Sequence, residues 1–286
     1  MLVGVCRWLG EKGRSTWPTA HQAPPTEGMQ QVSTMPRKLD PEDQPLRLYI
    51  LDFGLFKVHD GDRIIAICGY LIETRLGRRI LVDTGFPAKY AIDAVKASTE
   101  DRLSGFGEVR ELTPKHLPSA QLGKIGLRRS DVDCLIITHT HIDHVGGIAD
   151  FPNATLLIGA AERALPKPLY WGTVQPMDWP DVETTPVSGD LELCNGLRIL
   201  STPGHSPGHL SVLVTLPRTG PVLLTADAIS RPSEVDERFA GSWDPELAIK
   251  SADRILRIAT ELGAFVIYGH SPEQWPQLRK APRFYD

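Results

Sequence analysis

From residue 46 the chain settles into a regular alternation of apolar and polar positions. LRLYILDF (46–53), IIAICGYLIET (64–74) and RRILVDTG (78–85) read as strands, with Leu76-Gly77 marking a hairpin between the second and third. Residues 86–125 mix short helical patterns with Gly and Pro, which predicts a long excursion over the sheet. Cys134 to Thr138 form a continuous apolar strand, TLLIGA (155–160) another, and AERALP a short helix. Residues 166–189 are rich in proline and carry Tyr170, Trp171 and Trp179, which predicts a loop with a purpose. LRILSTPGH, HLSVLVTL and PVLLTADA add three strands, and AFVIYGH (264–270) a last one. Between these, Leu247, Ala252, Ile255, Leu256, Ala259 and Leu262 fall on one face of a helix. No short repeat is visible. The order of elements predicts an α/β fold, a sandwich of two mixed β-sheets with helices outside.

The first 45 residues break this pattern. Their opening apolar stretch is too short for a signal peptide and is interrupted by Arg7, and residues 11–46 are rich in Pro, Thr, Gln and charge. The chain is therefore read as a disordered or loosely ordered extension, 1–45, followed by one domain, 46–286, with Met29 and Met35 as alternative starts. Composition adds exclusions. With 41% hydrophobic and 23% charged residues the chain can bury a core, and a net charge of -4 without a basic run argues against nucleic acid or anionic membrane as partners. No apolar run approaches the ~18–20 residues that span a membrane. Cys6, Cys68, Cys134 and Cys194 are scattered without a C-x-x-C pair, which favours free thiols and a cytoplasmic setting.

His139-Thr140-His141-Ile142-Asp143-His144 is the strongest chemical signal. Alternate residues leaving a strand point the same way, so His139 and His141 can share one metal ion while Asp143 and His144 reach a second. Three further donors stand where apolar strands end: His205 in TPGHSPGH, Asp227 in LLTADA and His270 in FVIYGHS. Alone, each could be a turn residue or a helix cap; beside the histidine cluster they complete a seven-donor set. His139, His141 and His205 would hold one ion, Asp143, His144 and His270 the other, with Asp227 bridging. These donors suit two divalent ions, Zn²⁺ by default, with Fe, Mn or Co fitting the same chemistry. His209 is read as supporting the ligands rather than joining them. Asp83, in LVDTG, is either an acceptor for a ligand histidine or a turn former before Gly85.

LVDTG, THTHIDHVGG, TPGHSPGH, LLTADA and GHSPEQW, in this order, resemble the metallo-β-lactamase superfamily over residues 46–286. The resemblance implies the αββα sandwich and the ligand set just given. Within that superfamily, FPNATLLIGAAE, GHSPEQW and the terminal KAPRFYD are similar to segments of the N-acyl-homoserine lactonases and related small-lactone hydrolases, which implies a small lactone as substrate and a homodimer. One position departs from the group. Three residues after the bridging aspartate the pattern has tyrosine, and this chain has Ser230.

The expected activity is opening of the lactone ring by a metal-bridging hydroxide, with Asp143 and Asp227 as the catalytic carboxylates and Asp143 carrying the proton to the leaving oxygen. Phe106, Tyr170, Trp171 and Trp179, with Ser230, either wall a substrate pocket or pack beneath loops. Two other readings stay open: an ester or thioester hydrolase of the glyoxalase II kind, and a metal-bound sensor without catalysis.

Overall fold

The structure, a computed structural model, describes residues 39–286. The strands are β1 (Pro45–Val58), β2 (Arg63–Thr74), β3 (Arg79–Val82), β4 (Gly107–Glu111), β5 (Cys134–Ile137), β6 (Thr155–Gly159), β7 (Thr184–Val187), β8 (Leu191–Cys194), β9 (Leu197–Ser201), β10 (Leu210–Leu216), β11 (Gly220–Leu224), β12 (Phe265–Ile267) and β13 (Phe284–Tyr285). One sheet has the order β13-β1-β2-β3-β5-β6-β7, with β4 pairing β1; the other has the order β12-β11-β10-β9-β8. Both are mixed: β3, β5, β6 and β7 run parallel, as do β11 and β12, and the remaining pairs are antiparallel.

The side-chain period of two divides each strand between two cores. Ile72, Ile80, Ile136 and Leu157 of the first sheet meet Ile199, Val212 and Leu224 of the second in the middle layer. Their neighbours Leu71, Leu81, Leu135 and Leu156 face the opposite way, under the excursion and its short helices α1 (Ala94–Glu100) and α2 (Pro118–Gly123). On the far side Leu200, Leu213 and Leu223 receive Ala248, Ala252, Ile255 and Ala259. Those four belong to the long helix Pro245–Leu262, started by the Asp244 carboxylate accepting from the Leu247 N–H at 3.0 Å and ended by Gly263 in the left-handed region. Burial on both faces explains why β5 reads as an unbroken apolar run. The predicted αββα sandwich is thus the observed one.

Three details differ from the sequence reading. β1 continues past Phe53 to Val58, because Gly54 (φ 110°) forms a bulge; a Cβ there would lie 2.2 Å from the Glu111 carbonyl oxygen. Leu262 is 47% exposed, so the buried face of the long helix runs instead through Ala248 and Ser251. Residues 1–38 of the proposed extension lie outside the described residues, whereas 39–45 lie against the domain: the Asp43 carboxylate is buried and accepts from the backbone N–H groups of Gln44 and Leu76.

Candidate metal centre

The strands deliver their C-terminal ends to one edge of the sandwich. Asp83 follows β3, the His139–His144 run follows β5, His205 follows β9, Asp227 sits in a helical turn after β11, and His270 follows β12. Gly146 makes the path after the histidine run, since its Cβ would meet the Pro87 nitrogen at 2.1 Å, and its N–H donates to the Gly85 carbonyl. Asp83 (φ 60°) and Ala226 (φ 46°), which precedes Asp227, both hold left-handed backbones. Such conformations persist in non-glycine residues only where the surroundings impose them.

Hydrogen bonds behind the histidines fix which ring nitrogen each presents. Asp83 accepts at 2.8 Å from His144 Nδ1, from the Thr138 N–H and from the Thr138 hydroxyl. Thr138 Oγ1, having donated to Asp83, accepts from His139 Nδ1 at 3.2 Å. His270 Nδ1 donates to the Ala66 carbonyl at 2.8 Å. His139, His144 and His270 therefore all direct Nε2 into the site. His209 is placed differently. Its Nε2 accepts from the Asp227 backbone N–H at 3.1 Å, so its Nδ1 donates to Thr202 Oγ1 at 2.8 Å. It holds the Asp227 backbone and offers no free nitrogen.

The donors converge in three overlapping groups: His139, His141 and His205; His139, His144 and Asp227; Asp143, His144 and His270. In the first, His141 Nδ1 lies 2.9 Å from His139 Nε2 and 3.0 Å from His205 Nε2. Tetrahedral Zn²⁺ with Zn–N near 2.0–2.1 Å would need such nitrogens roughly 3.3 Å apart. Asp227 reaches both ends, with Oδ2 3.5 Å from His205 Nε2 and Oδ1 3.1 Å from His270 Nε2. His144 Nε2 and Asp227 Oδ1 are buried without a hydrogen-bond partner. Orphaned buried atoms of this kind are costly unless something absent completes them, and an imidazole nitrogen facing a carboxylate oxygen, once deprotonated, is a donor set for a cation. The residues fit the metal ions expected of them.

Burial disfavours charge on His139, His141, His205 and His209, and mutual repulsion adds to it, so all four are held below the usual imidazole value. Burial also opposes charge on His144 and His270, but there carboxylates win: Asp143, Asp83 and Asp227 push His144 up to about 10, and Asp227 and Asp143 push His270 up to about 9. Burial would raise Asp227, yet His270, His144 and His205 hold it well below the carboxylate range.

The centre lies at the floor of a cavity reached by His141, Asp143, His205, Asp227 and His270. Phe56, Phe86, Leu103 and Ile142, all of one apolar core, line it, and so do Ser230, Arg231, Glu234 and Phe239. Phe106 and Trp171 also line the cavity, with ring centroids 4.7 Å apart. Tyr170 and Trp179 do not. Tyr170 is buried with its hydroxyl on Asp101, and the Trp179 indole N–H donates to the Leu165 carbonyl beneath the Arg163 guanidinium. Arg231 and Glu234 escaped the sequence reading because they sit in a polar stretch without periodicity; only their closeness to Ser230 signalled them. The Ser230 N–H donates to Glu234 Oε2 at 2.6 Å, and its carbonyl accepts from the His270 N–H at 2.8 Å.

Comparison with known proteins agrees with this geometry. Residues 69–270 match the model of the metallo-beta-lactamase superfamily, and the chain belongs to that superfamily. It is 31% identical over 223 residues to the N-acyl homoserine lactonase AiiA of Bacillus thuringiensis subsp. kurstaki, covering 75% of this chain and 85% of that protein. It is 30% identical over 271 residues to the N-acyl homoserine lactonase AttM of Azorhizobium caulinodans, covering 84% and 99%. A solved N-acyl homoserine lactone hydrolase, with N-hexanoyl-L-homoserine bound at its catalytic metal centre, superposes with a TM-score of 0.72 at 25% identity over 85% of this chain and all of that one. These relatives are hydrolases of the superfamily, and the chain is one of them. Among the described residues no helix is long and apolar enough to cross a membrane.

Proposed function

We propose that this chain is a two-metal lactonase acting on N-acyl homoserine lactones, a quorum-quenching activity, or on a closely related small lactone. The observation that carries the reading is the convergence of seven donors in overlapping groups, with the Asp227 carboxylate between His205 and His270, in a cavity that also carries apolar side chains. Kinship with lactonases at about 30% identity supports the substrate class.

Two divalent cations held here, Zn²⁺ by preference, would polarise a carbonyl and lower the pKa of a bound water toward neutrality. Two sets are expected to hold them, His139, His141 and His205 in one, Asp143, His144 and His270 in the other. Asp227 lies between and balances charge on both sides. Asp143, only partly buried and open to the cavity, accepts a proton and returns it to the alkoxide that leaves when the ring opens. The product is an open-chain hydroxy acid. Phe106, Trp171 and the phenylalanines of the same lining exclude water from an acyl substituent, while Ser230, Arg231 and Glu234 offer polar contacts. The buried thiols Cys68, Cys134 and Cys194 are free, which supports a reducing, cytoplasmic setting.

A panel of acyl homoserine lactones, thioesters and phosphodiesters, assayed with metal-reconstituted protein, tests the reading. Turnover is expected for lactones. Turnover confined to thioesters or simple esters would move the assignment to a glyoxalase II-like hydrolase, and metal binding without turnover of any class would favour a sensor.

A further inference from the structure

A buried network outside the metal centre grips the ligand loop. Tyr170 and its neighbour run beside His139–His144 like a short added strand. The Tyr170 N–H donates to the Thr140 carbonyl at 2.8 Å, its carbonyl accepts from the Ile142 N–H at 3.0 Å, and the Leu169 N–H donates to Thr140 Oγ1 at 2.9 Å. His141 lies between these bonds and pairs with Tyr170 as an isolated bridge. Tyr170 makes this pairing with a left-handed backbone, φ 57°. An L-residue does not stay there unaided, and its side chain shows what holds it. The Tyr170 hydroxyl donates to Asp101 Oδ2 at 2.7 Å. Asp101, 2% exposed, also accepts from the Tyr90 hydroxyl at 2.9 Å and from the Lys89 ammonium at 2.8 Å. Its backbone closes α1, in the excursion whose Phe86, Leu103 and Phe106 wall the cavity.

We propose that Asp101 and Tyr170 are positioning residues, a carboxylate–phenol anchor that ties the cavity-wall excursion to the segment clamping the ligand loop and so sets how tightly the metal ions are held. Neither residue is a ligand. The anchor acts through the backbone of residues 140–142, which carries His141 and leads into Asp143 and His144. The proposal rests on the reading that these residues hold metal.

The structure supplies a matched control. Tyr90 and Tyr170 donate to the same carboxylate oxygen, but only Tyr170 is bonded to the ligand loop. Tyr170→Phe and Tyr90→Phe each delete one buried hydroxyl and keep the ring. The full chain is loaded with Zn²⁺ and its loss to a chromogenic chelator is timed; the thermal midpoint of the stripped protein is measured in parallel. Removing groups that orient metal ligands typically costs 10–100-fold in affinity. Tyr170→Phe is expected to lose Zn²⁺ about tenfold faster than wild type, and Tyr90→Phe within about twofold of it, while the midpoints of the two stripped variants fall by similar amounts. Equal Zn²⁺ retention in the two variants, fast or slow, would overturn the proposal, as would faster loss from Tyr90→Phe alone. A wild type that holds no Zn²⁺ would be a different failure, of the metal reading itself, visible before any variant is made.

Discussion

Asp227 and His209 separate the two kinds of residue that build the centre. The Asp227 carboxylate lies between two sets of nitrogens, whereas His209 has both ring nitrogens committed, one to the Asp227 N–H and one to Thr202. On the proposed two-metal reading, Asp227→Ala should abolish turnover and lower the metal content, since its carboxylate faces His205 and His270. His209→Ala leaves every ligand atom in place and should keep two metals, with a milder loss from the slackened Asp227 backbone. Elemental analysis beside steady-state kinetics distinguishes them; matching profiles would mean that ligand and support have been confused. Ser230 poses a sharper question. Its side chain is short, its backbone is fixed between Glu234 and His270, and positioned acid–base help typically contributes ~10²–10⁴-fold. Ser230→Ala should change kcat on a lactone by less than about tenfold, while Asp143→Asn, which removes the carboxylate proposed to bind metal and carry the proton, should cost far more. A large loss for Ser230→Ala at full metal occupancy would show that the serine takes the role that the resemblance assigns to a tyrosine at this position.

At the scale of elements, strongly patterned segments were legible and weakly patterned ones were not. β5 announced itself as an apolar run ending in histidines, and the long helix by its 3.6-residue period. β4, β7 and β13 leave no mark in the sequence because they are short edge pieces whose residues are mostly half-exposed or exposed, leaving little alternation to read. β1 was cut short at Gly54 because a bulge looks like a terminus in sequence. The seven donors were legible because each follows a core strand. Aromatic character alone marks Tyr170 and Trp179 as pocket candidates; tertiary contacts instead set the Tyr170 hydroxyl on Asp101 and Trp179 under Arg163. The corrected helix face makes its own prediction. Ile255 is fully buried against the second sheet. Ile255→Ala should cost about 2–5 kcal/mol of unfolding free energy, read from denaturant melts, yet leave metal content unchanged in the folded protein, since no ligand sits on this helix.

For the whole molecule, the donors from both sheets meet at one edge, so the sandwich must be assembled before the centre exists. The first 38 residues contribute none of them. A chain starting at Met35 retains Asp43 and the other residues that lie against the domain, and should keep its thermal midpoint and activity. A deeper truncation past Asp43 should lower the midpoint, because the backbone N–H of Leu76 loses its acceptor. The central claim is that two ions, held by seven donors sharing Asp227, open a lactone ring. Its most direct test is to strip the protein with chelator, restore Zn²⁺ stepwise, and follow acyl homoserine lactone hydrolysis against bound metal. Activity should rise to a plateau at about two ions per chain. Full activity at one ion, or a two-ion protein that leaves every lactone intact, would contradict it.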